Sequence, residues 1–117
     1  MTHPFETFRQ KRLEGNDKAL DTDNLLIKRF FSLDKQAYGE GALDKKTKEL
    51  LGLVASMVLR CNDCIDYHLE GAVKSGNTKS EIDEAMSIAL LVGGSIVIPH
   101  LRHAASSLEF LIEESQQ

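Results

Sequence analysis

The chain has 117 residues and a mass of 13.0 kDa, which is the size of one domain. Hydrophobic residues make up 42% and charged residues 27%, so intrinsic disorder over most of the chain is disfavoured. A net charge of -4 argues against a nucleic-acid-binding domain with a general basic face. There is no apolar run long enough to span a membrane and no secretory signal pattern at the N-terminus. We therefore expect a single domain over residues 1–117, located in the cytoplasm, that binds neither nucleic acid nor membrane.

The sequence predicts helices throughout. Pro4 and Pro99 are the only prolines, and no segment alternates between polar and apolar residues as a half-buried strand would. The predicted fold class is all-α, a compact single-domain bundle of about six helices. The first helix is expected over about residues 5–13, ending near Gly15, and the second over about residues 21–38.

Capping signals divide the middle and the end of the chain. Asp44 is expected to cap a third helix, and Thr78 with Glu81 forms a capping box for a fifth. The Gly93–Gly94 pair is expected either to break that helix or to permit close helix packing. Segment 82–98 is apolar nearly all round, which leaves two interpretations open: a central core helix, or a surface buried in a homo-oligomer.

The two cysteines, Cys61 and Cys64, fall within a fourth predicted helix, near its start. At this spacing they can form a disulfide with little backbone movement, and the unpaired N–H groups at a helix start favour a thiolate. His68 lies one turn beyond Cys64 on the same face, where an imidazole can accept and return a proton beside a thiol. Asp63 and Asp66, which disfavour a thiolate, are expected to point away from this face.

The pattern Cys-x-x-Cys-x-x-x-His, with Glu49 twelve residues before Cys61, resembles the AhpD-like (alkylhydroperoxidase D-like) group of the carboxymuconolactone decarboxylase superfamily. The resemblance covers about residues 23–112 and includes the flanking runs 48–56 and 69–76. It implies an all-helical fold that assembles as a homotrimer or homohexamer. One departure is Asp63, where some members carry a histidine.

The resemblance also implies an activity, namely hydroperoxide reduction through the cysteine pair. Cys64 would be the peroxidatic thiol, Cys61 the resolving thiol, and Glu49 with His68 the proton relay, with no cofactor and no metal. The partners would be a small hydroperoxide and an external dithiol or a thioredoxin- or lipoyl-type reductant. Without the resemblance, the order of the two thiols is open, because the helix start alone favours Cys61 as the attacking thiol and the spacing to His68 favours Cys64.

The role of Glu49 sets a geometric condition. Twelve residues of straight helix span about 18 Å, too far for a proton relay to Cys61. The chain must therefore turn, and we expect the turn at about residues 60–62. Glu49 is then expected to be buried and hydrogen-bonded to His68, directly or through water.

Other interpretations of the same residues compete with the peroxidase. Zinc could bind the two cysteines with His68 and Glu49, but structural zinc sites usually draw ligands from two separate segments and no second Cys/His pair exists. The protein could instead be a non-catalytic helical oligomer that senses redox state or binds a partner, or, less favoured, a lactone decarboxylase, which needs no cysteines.

His100 and His103 are expected at the surface or an interface, and Phe30 with Phe31 in the core or a subunit contact.

Overall fold

The computed structural model describes residues 2–117, which form six α-helices and one short 3₁₀ turn. The helices are, in chain order, α1 (Pro4–Leu20), α2 (Leu25–Ala37), α3 (Lys45–Val58), α4 (Asn62–Lys74), α5 (Lys79–Gly93) and α6 (Ile98–Ser115), with the 3₁₀ turn at Ser95–Val97. Residues 2–117 contain no strand, so the all-α prediction is confirmed. In the same residues, every helix is too short or too polar to cross a membrane.

Side-chain caps fix the starts of α3 and α5 as predicted, whereas α2 begins later than predicted, after the Asn24 cap. Asp44 Oδ1 accepts a hydrogen bond from the Thr47 N–H at 2.8 Å, at the start of α3. At the start of α5, the Thr78 hydroxyl accepts from the Glu81 N–H and the Glu81 carboxylate accepts from the Thr78 N–H. These contacts satisfy N–H groups that the first helical turn leaves without partners, and they confirm both predicted caps.

Helix α1 is longer than predicted, because it continues through Gly15 to Leu20. Glycine inside a helix costs only about 1 kcal/mol relative to alanine, which tertiary contacts can offset. Arg9 supplies such contacts, donating hydrogen bonds to Glu70 on α4 and to Glu114 on α6. The first helix is thereby tied to two others, and its end is set by the turn at Asp21 rather than by the glycine.

The hydrophobic core lies between α3, α4, α5 and α6, with Phe5 of α1 packed against it. Pro99 stands at the start of α6. The buried apolar residues are Phe5, Leu53, Met57, Ile65, Leu69, Ala72, Ile82, Met86, Ala89, Val97, Ala104, Leu108 and Leu111.

Helices α3 and α4 form an antiparallel pair joined by a tight turn at residues 59–61. Arg60 adopts a left-handed conformation with φ of 60°, and the Cys61 N–H bonds back to the carbonyl of Ser56 at 3.0 Å. The chain therefore reverses its direction between Glu49 and Cys64, which confirms the predicted turn.

Two helices leave apolar side chains exposed in the single chain. No residue of α2 is buried, although its apolar stripe is strongly developed, and Phe30 is 70% exposed. Segment 82–98 is buried on one side and exposed on another. Ile82, Met86 and Ala89 are in the core, whereas Leu91 and Val92 are 82% and 70% exposed.

Candidate active site

The cysteine pair lies at the start of α4, directly after the turn that joins α3 to α4. Cys61 is the N-cap residue, and its sulfur accepts a hydrogen bond from the Cys64 N–H at 3.3 Å. The structure joins the two sulfurs in a disulfide, with the Cα atoms 5.3 Å apart. Cys64 is exposed and Cys61 is half-buried. Of the two residues, Cys64 is the more accessible from solvent.

The predicted contact between Glu49 and His68 is present. Both side chains are buried, and Glu49 Oε1 lies 3.1 Å from His68 Nδ1 across the α3–α4 pair. The second carboxylate oxygen lies 3.7 Å from Lys45 Nζ. The prediction of a buried, directly bonded pair is confirmed; the assignment of this pair as a proton relay remains a prediction.

Tyr38 also contacts His68, which the sequence did not reveal. Its hydroxyl lies 3.4 Å from His68 Nε2, on the opposite edge of the ring from Glu49. Lys48 holds this part of the chain by donating to the carbonyls of Ala37 and Gly39 at the end of α2. Both ring nitrogens of His68 therefore have partners. Within residues 2–117, His68 makes no hydrogen bond to a cysteine sulfur.

Two helical glycines make room for the buried pair. A Cβ on Gly52 of α3 would lie 2.6 Å from the His68 ring and 2.7 Å from the Tyr38 hydroxyl. A Cβ on Gly71 of α4 would collide with the Glu49 carboxylate. Sequence reasoning missed both positions, and the only signal was that helix interiors disfavour glycine unless close packing requires it.

A cavity of about 700 Å³ opens beside Cys64, between α1, α2, α4 and α6. Aromatic rings supply much of its wall, and Lys11, Arg12 and Asp34 are among the polar groups. Phe30 and Phe31 lie on this wall rather than in the core. The aromatic residues of the wall are Phe5, Phe8, Phe30, Phe31 and Tyr67.

The expectation that Asp63 and Asp66 point away from the cysteines is wrong. Both line the same cavity as Cys64, and Asp66 is only 3% exposed. Helix α4 packs against α3 on one side and α6 on another, so it has more than one covered face. Asp66 lies toward the second of these faces, where it contacts α6.

His100 and His103 have partners on α4 that the sequence did not show. His100 Nδ1 lies 2.8 Å from Asn62 Oδ1. His103 Nε2 lies 3.0 Å from each oxygen of Asp66, and the Ser107 hydroxyl donates to Asp66 at 2.6 Å. The available signal was the spacing of His103 and Ser107, which places them on one face of a helix.

The residues considered as zinc ligands are not grouped as a site. Glu49 bonds His68, whereas the two cysteines bond each other. Over residues 2–117, no three His, Cys, Asp or Glu side chains lie close enough together to hold a metal ion.

The two tyrosines near the site have raised phenol pKa values. Partial burial is the main cause for both Tyr38 and Tyr67, followed by the negative charge of Asp34. For Tyr67, the Arg12 guanidinium over its ring, 4.5 Å from the centroid, acts in the opposite direction. Both phenols therefore stay protonated, and able to donate hydrogen bonds, throughout the neutral pH range.

Comparison with known proteins identifies relatives of this architecture. The model of the carboxymuconolactone decarboxylase family matches residues 25–107. The uncharacterized protein 4 in the cox locus of Paracoccus denitrificans is 34% identical over 80 residues, which is 68% of this chain and 72% of that protein.

Solved structures agree over nearly the whole chain. TM1620 of Thermotoga maritima is 56% identical, with a TM-score of 0.91, and the match covers 95% of this chain and 97% of that one. TM1620 has a second solved structure, in which it is described as a carboxymuconolactone decarboxylase family protein and a candidate for involvement in antioxidative response. The family protein lpg0406 of Legionella pneumophila is 32% identical, with a TM-score of 0.81 and coverage of 96% and 97%.

Gly71→Ala is expected to lower the free energy of unfolding by about 1–3 kcal/mol, as overpacking of a buried position typically does. The new methyl group would displace Glu49 from His68. Gly15→Ala is the matched control: no atom lies within 4 Å of its added Cβ, and it should raise stability by about 0.5–1 kcal/mol. Urea denaturation measures both. Equal stability of Gly71→Ala and the wild type would contradict the close approach.

The tyrosines give a pH prediction, because the chain has only two and no tryptophan. In the folded protein, tyrosinate absorbance should appear at higher pH than in the denatured protein. Since the folded pKa values lie above the unfolded value of about 10, the tyrosines do not affect stability below that pH and destabilise the fold as pH rises beyond it. Tyr38→Phe should leave a single, still delayed titration. Coincident folded and denatured curves would refute the prediction.

Proposed function

Because the chain belongs to the carboxymuconolactone decarboxylase family, we propose that it is a redox member of that family, an enzyme that reduces hydroperoxides by thiol–disulfide chemistry at Cys61 and Cys64. The candidate involvement of TM1620 in antioxidative response supports this branch of the family. We expect the reaction to take place in the cytoplasm, where a disulfide of this kind is transient and catalytic.

One observation carries the proposal. The exposed residue Cys64 lies in the first turn of a helix, with its sulfur bonded to that of Cys61, on the wall of a cavity that His68 also lines. The helix start favours a thiolate at this position, and the cavity gives a small substrate access to it. A purely structural cysteine would instead be buried and inert.

The proposed reaction begins when the Cys64 thiolate attacks the distal oxygen of the hydroperoxide. The S–O bond forms as the O–O bond breaks, so the sulfur is oxidised to a sulfenic acid and the peroxide is reduced. Water or an alcohol leaves after gaining one proton. The Cys61 thiol then condenses with the sulfenic acid, which forms the disulfide and releases one water.

We assign the uptake of the Cys64 thiol proton to His68, held by Glu49. Their buried hydrogen bond orients the ring and stabilises the positive charge that it gains. Since His68 Nε2 faces Tyr38 and not a sulfur, the proton is expected to cross from Cys64 through a water molecule in the cavity.

An external dithiol, of the thioredoxin or lipoyl type, would return the enzyme to its starting state. Its thiolate would attack the sulfur of Cys64, which is the more exposed residue of the pair, and its second thiol would then release the mixed disulfide. The external dithiol is oxidised to a disulfide while Cys61 and Cys64 are reduced to thiols.

We expect the chain to assemble as a homotrimer or homohexamer. The support is the apolar surface that α2 and the end of α5 leave exposed, including Leu26, Leu33 and Leu91. Light scattering should give a mass three or six times that of the chain. A monomer at micromolar concentration would contradict the assembly.

The cysteine variants test the function. Consumption of hydroperoxide with a dithiol donor should be lost in Cys64→Ser, because the proposed attacking sulfur is removed. Cys61→Ser should react once and stop at a sulfenic acid, which a dimedone adduct detects by mass spectrometry. The reversed pattern would exchange the roles of the two cysteines.

Two outcomes would favour the competing functions. A wild type that forms the Cys61–Cys64 disulfide with peroxide but shows no turnover with any dithiol would indicate a redox sensor or partner-binding protein. Lactone decarboxylation that survives loss of both cysteines would indicate the lyase.

A further inference from the structure

A second carboxylate–histidine pair opens onto the cavity that contains Cys64. Asp66 on α4 is 3% exposed and accepts hydrogen bonds from His103 and Ser107, both on α6. His103 keeps about a third of its side chain exposed and, like Asp66 and Cys64, lines the cavity. A buried carboxylate is costly unless it has such partners, so the contact holds the three side chains in one arrangement.

This arrangement leaves one nitrogen of His103 available. A carboxylate only accepts hydrogen bonds, so Nε2 carries the hydrogen that points to Asp66. The other nitrogen, Nδ1, has no hydrogen-bond partner among residues 2–117. His68 differs, because Glu49 and Tyr38 occupy both of its nitrogens. Of the two histidines that line the cavity, His103 is the one with a ring nitrogen that has no hydrogen-bond partner among residues 2–117.

We propose that His103 is the general acid that protonates the leaving oxygen of the hydroperoxide, and that Asp66 and Ser107 position it. This rests on the proposed function. The donor is the doubly protonated ring, the imidazolium, whose Nε2 hydrogen stays bonded to Asp66. As the Cys64 thiolate forms the S–O bond and the O–O bond breaks, the Nδ1 proton of His103 passes to the departing alkoxide, which leaves as an alcohol. The imidazole is left neutral and regains a proton from solvent. His68 and His103 then divide the work: the first removes the thiol proton and the second supplies the proton to the product.

The leaving group of the peroxide provides the test. Cumene hydroperoxide releases an alkoxide, a strong base that needs a proton as it leaves, whereas peracetic acid releases acetate, which does not. In single-turnover stopped-flow measurements, His103→Gln should slow the reaction of reduced enzyme with cumene hydroperoxide by about 100-fold, and with peracetic acid by less than about threefold.

His100→Gln is the matched control. His100 lies one turn before His103 on α6 and bonds Asn62, but it is not part of the cavity wall. This variant should react with both peroxides within about twofold of the wild type, because it removes a histidine from the same helix without touching the proposed acid.

Asp66→Asn provides a second variant of nearly unchanged size, which keeps the test decisive if His103→Gln fails to fold. It should slow the reaction with cumene hydroperoxide and spare that with peracetic acid. Equal slowing with both peroxides in either variant, or no slowing with cumene hydroperoxide, would overturn the role of His103. If the wild type reduces neither peroxide, the proposed function itself fails, and the two failures are thus distinguished.

Discussion

The buried hydrogen bond between Glu49 and His68 is the contact on which the geometry of the site depends. A carboxylate removed from water needs a partner, and this one finds it only because α3 and α4 run antiparallel and close together. That closeness in turn requires Gly52 and Gly71, whose missing side chains leave the space that the ring and the carboxylate occupy. The tight turn at Arg60 completes the arrangement, since it brings the cysteines to the start of the helix that carries His68.

Helix α4 thus has two chemically different sides. Toward α3 it presents His68 to a buried glutamate, and toward α6 it presents Asp66 to a half-buried histidine. In the first pair α4 carries the imidazole, whereas in the second pair it carries the carboxylate. Cys64 stands near the start of the same helix, so one rigid element carries the thiol and half of each pair. Groups held on one helix keep their spacing better than groups held on separate loops, which suits the proposed reaction and its two proton transfers.

Much of this could be predicted from the sequence, because local rules govern it. Helix periodicity and caps predicted about six helices. The turn and the buried pair were predicted from the relay role that the family resemblance implies for Glu49, taken together with its distance from Cys61 along the chain. The Asp66–His103 contact could not be predicted in this way. It joins residues 37 positions apart, through the packing of α4 against α6, and the helical stripe assigned Asp66 to the polar face. The same limit applied to α2, since an apolar stripe does not reveal whether its partner lies within the chain.

The position of Cys61 at the N-cap links the fold to the oxidation state of the pair. In the disulfide, its sulfur is a weak neutral acceptor for the Cys64 N–H. Reduction produces a sulfur that can become a thiolate, and a negative charge at a helix start accepts stronger hydrogen bonds and interacts favourably with the helix dipole. The dithiol form therefore gains helix stability that the disulfide lacks. By thermodynamic linkage, that gain raises the reduction potential of the pair and makes its disulfide a better oxidant of an incoming dithiol.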